Sequence, residues 1–277
     1  MLLCETMGKM MMQARTKGSD REPFWPGFFG GKYMRCVPAG DCAIMAEFPQ
    51  EISTRTNDRV HGLAREIVSR QIPGITELVP AFCSLMIYYQ PQVISYGELK
   101  KRIEELEEGE VGTFGKKKRI LKIPCCYGAR FGCDLADMEQ YMKLTRDEII
   151  AIHSSVDYKI YMLGFLPGFV YLGGLDKRLE MPRLKIPRIK IQPGAVGIGG
   201  NQTGVYPLAS PGGWRLLGGT PVDFYNPDRE EPVLCSAGEY IRFIPITIDD
   251  YYDIRRMIQK GSYKVVTEEE EGERLCQ

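Results

Sequence analysis

The chain carries only two histidines, His61 and His153. His61 follows Val60 in a stretch with helical spacing and reads as a surface or half-buried helix residue. His153 stands at the end of a predicted helix, just before the turn SSVD and the first strand of a glycine-rich region. That junction can aim the ring into a cleft, and a helix C-terminus favours the imidazolium form. Acid/base work or substrate hydrogen bonding is the chemistry that suits it. No partner residues for a metal accompany it, so metal ligation is not expected. A second cluster is MPRLKIPRIKI, which places Arg183, Lys185, Arg188 and Lys190 within eight residues of an otherwise neutral chain. Proline keeps such a segment extended, and the mixed parity of the four positions prevents a single charged stripe. Two readings stay open: an edge strand protected by charge and proline, or Arg183 or Arg188 clamping a carboxylate or phosphate.

A third stretch, IQPGAVGIGGNQTGVYPLASPGGW (191–214), raises the question of a phosphate loop. Gly199 and Gly204 have the spacing of a Walker loop, but Val205 and Tyr206 occupy the Lys and Ser/Thr positions. A dinucleotide G-x-G-x-x-G fails as well, since Gln202 stands at the third glycine. A nest of backbone N–H groups remains open. Gln202, in a turn between Gly200 and Gly204, can supply an amide to a ligand, and the flanking glycines let backbone approach it. Phe165, Phe169 and Tyr171 in GFLPGFVYL read as core or cleft wall.

The elements that must position these residues follow from periodicity. Strands are expected at MRCVP and CAIMAEF. A helix follows with Val60, Leu63, Ala64, Ile67 and Val68 on one face. Strands come next at ITELVP and CSLMIYYQP. A second helix starts at Ser95, with Glu98 completing a capping box. After the polar run EEGEVGTFGKKK, RILKIP reads as a further strand. The expected first unit, residues 33–124, is a small α+β sandwich with two helices on one face of an antiparallel sheet. Beyond it Asp134 can cap one short helix, and Thr145 with Glu148 a second. Residues 164–219 hold 13 of the 30 glycines, a density that means tight turns between short strands and a barrel-like unit over 125–263. A terminal helix (DDYYDIRRMIQKG) and an acidic, frayed tail (264–277) close the chain. Residues 1–32 lack periodicity and read as a disordered leader, or as a stretch upstream of a start at Met34.

Bulk properties limit the function classes. Lys plus Arg and Asp plus Glu number 36 each, so no global charge draws the chain to nucleic acid or acidic lipid. No window has the apolar length of a membrane span or a secretory signal. The nine cysteines lack C-x-x-C spacing and read as reduced thiols of a cytoplasmic protein.

These motifs together resemble a known family. GFLPGFVYLGGLD, PR-x4-R, PGAVGIGGNQTGVYP and SPGGWRLLGGTP are similar to the B-type subunit of 5-oxoprolinase. That family also includes the KipI-type inhibitor of a sporulation histidine kinase and the allophanate hydrolase subunit 1 domain. VPAGDCAIMAEF, IPGITELVPAFCSLMIYY and IPCCYGARFGCDL agree, so the resemblance runs from Tyr33 to Tyr263. It departs at Asn201, where Ser is usual, at Gly199, Cys133 and Lys185. The resemblance implies an α+β N-terminal unit followed by a cyclophilin-like β-barrel. It implies ATP-dependent opening of the 5-oxoproline lactam to glutamate, ATP with Mg as cofactor, and no activity without a KipA-like C-type subunit together with an A-type one. Carried onto this chain, it suggests His153 and Gln202 as catalytic residues, and Arg183, Arg188 and Tyr206 as substrate or phosphate ligands. The alternatives are a regulatory inhibitor of a sensor histidine kinase and a carboxyltransferase-like domain working with a biotin-dependent partner.

Overall fold

A computed structural model describes residues 34–50, 53–108, 118–128 and 130–270. The leader (1–32), the run at 109–117 and the tail end (271–277) lie outside the described residues. The first unit contains β1 (Arg35–Pro38), β2 (Ala43–Glu47), α1 (Thr54–Arg70), β3 (Ile75–Pro80), β4 (Ser84–Tyr89) and α2 (Tyr96–Glu108). Its strands form one antiparallel sheet in the order β1-β2-β4-β3. Alternation decides which face is covered. Ile44, Ala46, Leu85 and Ile87 point to the helices and meet Val60, Leu63, Ile67, Leu99 and Ile103 in one core. At the start of α2 the Ser95 Oγ accepts from the Glu98 amide, one half of the expected capping box, and at the start of α1 the Ser53 Oγ accepts from the Thr56 amide.

The second unit is a closed barrel. It uses β5 (Lys118–Tyr127), β6 (Tyr158–Leu163), β7 (Val170–Gly173), β9 (Ala195–Ile198), β10 (Thr203–Val205), β12 (Arg215–Gly219) and β13 (Tyr240–Pro245). The order is β12-β9-β10-β7-β6-β13-β5, and β5 closes the ring by pairing Tyr127 with Gly218 and Cys126 with Gly219. All pairs are antiparallel except β5 with β13. β8 (Arg188–Ile191) and β11 (Ser210–Gly212) stand apart as a two-stranded flap. The helices α3 (Leu135–Met142), α4 (Arg146–Ser154) and α5 (Ile248–Gln259) complete this unit.

The fold class expected from the sequence is therefore present, but two boundaries move. RILKIP does not end the first unit. It belongs to β5, whose residues Leu121, Ile123 and Cys125 sit in the barrel core, because a long apolar run needs partners on both edges. The acidic tail is not frayed throughout: β14 (Val266–Glu270) pairs antiparallel with β5. Its glutamates face cations, with Lys118 to Glu270 at 3.3 Å and Arg242 to Glu268 at 3.3 Å. Cross-strand charge pairing is what makes so polar a segment a strand.

The two units meet along α1 and β6. Asn57 Nδ2 donates to the carbonyls of Ala81, Phe82 and Tyr161 at 3.2, 3.4 and 3.2 Å. His61 Nε2 lies 3.1 Å from the same Tyr161 oxygen, which makes it the donor and explains a helix position that looks unremarkable in sequence. Lys159, almost fully buried, pairs with Asp58 at 2.5 Å. Substituting Asn57→Ala leaves these carbonyls short of a donor. It is expected to lower stability by about 1–3 kcal/mol in urea unfolding, whereas the exposed helix substitution Val68→Ala should cost much less.

Candidate functional site

The flap, β12 and α5 enclose a cleft of about 570 Å³, a size in the usual small-molecule range. One wall comes from the flap residues Arg188 and Lys190, another from the chain before α3, Arg130 and Phe131. Gly218 to Thr220 of the barrel and Tyr251 and Arg255 of α5 complete the lining. Asp134 sets this geometry. The sequence suggests it as a helix cap, and it does occupy the cap position of α3 but makes no side-chain cap bond. Its carboxylate instead accepts from Arg188 Nη2 at 2.6 Å and from the Leu216 amide at 2.6 Å. A buried carboxylate takes the charged donor in preference to a neutral amide at a helix end, because the ionic bond offsets more of its desolvation.

The cleft is electropositive. Arg130, Arg188, Lys190 and Arg255 line it against a single acid, Asp223, and that acid is held by Arg255 at 2.5 Å. Arg188 is partly desolvated, which opposes its charge, but the adjoining Asp134 carboxylate outweighs this and raises its pKa. It also donates to the Trp214 carbonyl at 3.3 Å. Arg130 lies over the Phe131 ring at 5.2 Å and the Tyr252 ring at 5.4 Å. Among the described residues neither Arg130 nor Lys190 has an acidic partner. The lining holds no histidine and no unpaired carboxylate. Among the described residues no group of three His, Cys, Asp or Glu could hold a metal ion.

Of the site residues that the sequence suggests, Arg188 alone lines this cleft. Tyr206 is buried under the flap with its hydroxyl bonded to the Trp214 backbone, and burial raises its pKa. Arg183 lies on the outside, 5.6 Å over the Trp214 ring. Gln202 is buried in the β9–β10 turn, where its backbone carbonyl accepts from Gly199. The glycine run is explained by packing: a Cβ at Gly199 would sit 2.4 Å from Trp214 Nε1, and one at Gly204 2.6 Å from the Val170 oxygen. Trp214 lies flush with the barrel only because both positions lack side chains. Arg130, Phe131 and Arg255 escape a reading of the sequence, since no spacing rule joins position 130 to 188 and 255. The first two do fall within the stretch IPCCYGARFGCDL.

His153 requires a correction. It is 0% exposed in the barrel core, stacked 4.8 Å from Phe243. Thr203 donates its hydroxyl proton to the Gly197 carbonyl, so at 2.9 Å it must accept from His153 Nε2–H. Nδ1 then accepts from the Tyr127 hydroxyl at 2.8 Å. This assigns a neutral tautomer with both nitrogens occupied. The expected imidazolium does not form, because burial pulls the pKa down to about 3 and overrides the helix terminus.

Comparison with known proteins gives the class first. Residues 34–235 match the family model for the carboxyltransferase domain, subdomain C and D. The 5-oxoprolinase B subunit of Bacillus subtilis (strain 168) is 41% identical over 223 residues, which covers 77% of this chain and 93% of that protein. The protein of the same name from Escherichia coli O157:H7 is 36% identical, with 76% and 95% covered. A solved structure, TTHA0988, matches with a TM-score of 0.65 at 33% identity, over 74% of this chain and 40% of that one. This chain thus spans less than half of TTHA0988. The Kluyveromyces lactis urea amidolyase shares the fold, with a TM-score of 0.72 at 21% identity over 85% of this chain and 16% of its own. The chain belongs to the carboxyltransferase-domain family and, within it, to the group of 5-oxoprolinase B subunits.

The buried histidine predicts a pH dependence. Folded, His153 stays neutral down to about pH 3; unfolded, it takes a proton near the ordinary value of 6.5. The unfolded chain therefore binds more protons between those values, and stability falls as pH drops from 6.5 towards 3. The loss from this group is at most about 5 kcal/mol. His153→Gln should be less stable at pH 8 yet show a shallower acid limb in urea unfolding. Equal slopes for the two proteins would contradict the assignment.

Proposed function

We propose that this chain is the B-type subunit of an ATP-dependent 5-oxoprolinase, active only in a complex with a KipA-like C-type subunit together with an A-type one. Relatives that share most of their length with it carry the B-subunit name. The single structural observation behind the division of labour is the make-up of the cleft. Opening a lactam through phosphorylation of its oxygen needs cations for the phosphate and a base for the attacking water. The cleft supplies the cations and lacks the base. His153, the base expected from sequence, is sealed in the barrel. A group from a second chain is then required, and turnover with ATP and Mg belongs to the assembled enzyme. All seven described cysteines are free thiols, which supports a reducing, cytoplasmic setting.

The flap supports a partner. Ile186 and Ile189 are 84% and 91% exposed, next to the cationic wall of the cleft. TTHA0988 carries polypeptide well beyond the part that matches this chain. A second subunit seated on the flap covers both isoleucines and brings its own groups to the mouth of the cleft. A carboxyltransferase role on an amide is the second reading, favoured by the family description.

Co-expression with a C-type partner is expected to give a stable complex that, with the A-type partner and ATP, releases glutamate from 5-oxoproline. Ile189→Asp should leave the chain folded but reduce recovery of the complex at least tenfold. A complex that forms yet releases no glutamate, while transferring carboxyl from a biotinylated carrier to an amide, would favour the second reading.

A further inference from the structure

We propose that the basic cleft is an oligophosphate site, which seats the phosphate chain of a nucleotide. The inference deepens the reading above and rests on it for the identity of the nucleotide, but the site itself is argued from the cleft. Four cations reach it from three separate parts of the chain: Arg130 before α3, Arg188 and Lys190 on the flap, and Arg255 on α5. In a chain of zero net charge, this local excess requires a cause.

The cations divide into two kinds. Arg188 and Arg255 are anchored, the first by Asp134 at 2.6 Å and the second by Asp223 at 2.5 Å and the Pro221 carbonyl at 3.0 Å. Fixed guanidiniums with donors to spare form a pre-organised seat. Arg130 and Lys190 are exposed and have no acidic partner among the described residues, so they are available to close on a bound anion. A lone carboxylate is satisfied by one arginine fork. A cleft of about 570 Å³ lined by cations from three separate parts of the chain suits an anion with several charges along its length. The rings of Phe131 and Tyr251, 4.3 Å apart, already pack against each other, and Arg130 lies over Phe131. Engaged with each other, they are not a free platform for a base. The phosphate chain, not the ring, is therefore the recognised part.

Isothermal titration of the full chain with tripolyphosphate, ATP, adenosine, inorganic phosphate and glutarate tests this without turnover. Tripolyphosphate and ATP are expected to bind with similar affinity, each at least tenfold tighter than phosphate or glutarate, with adenosine silent. Raising salt should weaken both. Lys190→Ala and Arg130→Ala should each lower tripolyphosphate affinity about tenfold, whereas Lys185→Ala, exposed and outside the cleft, should not. Both variants are at exposed positions, so their circular dichroism is expected to match that of the unaltered chain. Glutarate binding as tightly as tripolyphosphate, no binding of either, or affinity indifferent to both cleft variants would overturn the proposal. Turnover by the assembled enzyme with no phosphate binding here would remove this site alone; phosphate binding without turnover would remove the enzymatic reading alone.

Discussion

The carboxylate of Asp134 is the interaction on which the flap, α3 and the barrel around the cleft depend. Its side chain is only 5% exposed, so it cannot be left to water. Two donors compensate it: the Leu216 amide on β12 and the Arg188 guanidinium on the flap. Its own amide donates back to the Leu216 carbonyl at 3.1 Å. One residue thereby fastens the start of α3 to the barrel and the flap to both. A buried charge without its partner costs several kcal/mol, so these three elements hold one another in place. The cleft is the space they leave.

The second constraint is steric. Trp214 packs with Phe169, Tyr206, Ile191 and Leu216 into a small core between the flap and the barrel. That core exists because glycines on β9 and β10 let the indole approach the sheet. An alanine at Gly199, whose Cβ would meet the indole nitrogen, requires the ring to shift. The glycine-rich run is thus a packing surface, and it seats the flap that carries Arg188 and Lys190.

Much of the architecture is legible in the sequence, because it rests on periodicity. Val60, Leu63 and Ile67 mark α1, and Thr145 with Glu148 marks the start of α4, whose capping box is present. The assignment of β5 to the first unit fails because strand pairing is non-local: RILKIP looks the same whichever sheet receives it. The acidic tail fails for a related reason, since its cationic partners Lys118 and Arg242 lie far away in sequence. At the site, Arg188 stands out through its local charge cluster. His153 misleads because its position at a helix end says nothing about the depth of burial, and burial controls its proton. Asp134 is conspicuous for the local role it could play, but its actual partners are 54 and 82 residues away.

The proposed division of chemistry between chains rests on the same geometry. In the cleft Arg188 and Arg255 are each fixed by an acid, Asp134 and Asp223, and the lining holds no carboxylate without such a partner. The most direct test of that account is a double-mutant cycle in urea unfolding with Asp134→Asn, Arg188→Met and both together. If the pair anchors the flap, each single change is strongly destabilising and the double is much less so than their sum, with a coupling of about 2 kcal/mol or more. Additive effects, with a coupling below about 0.5 kcal/mol, would show that the cleft does not depend on this ion pair.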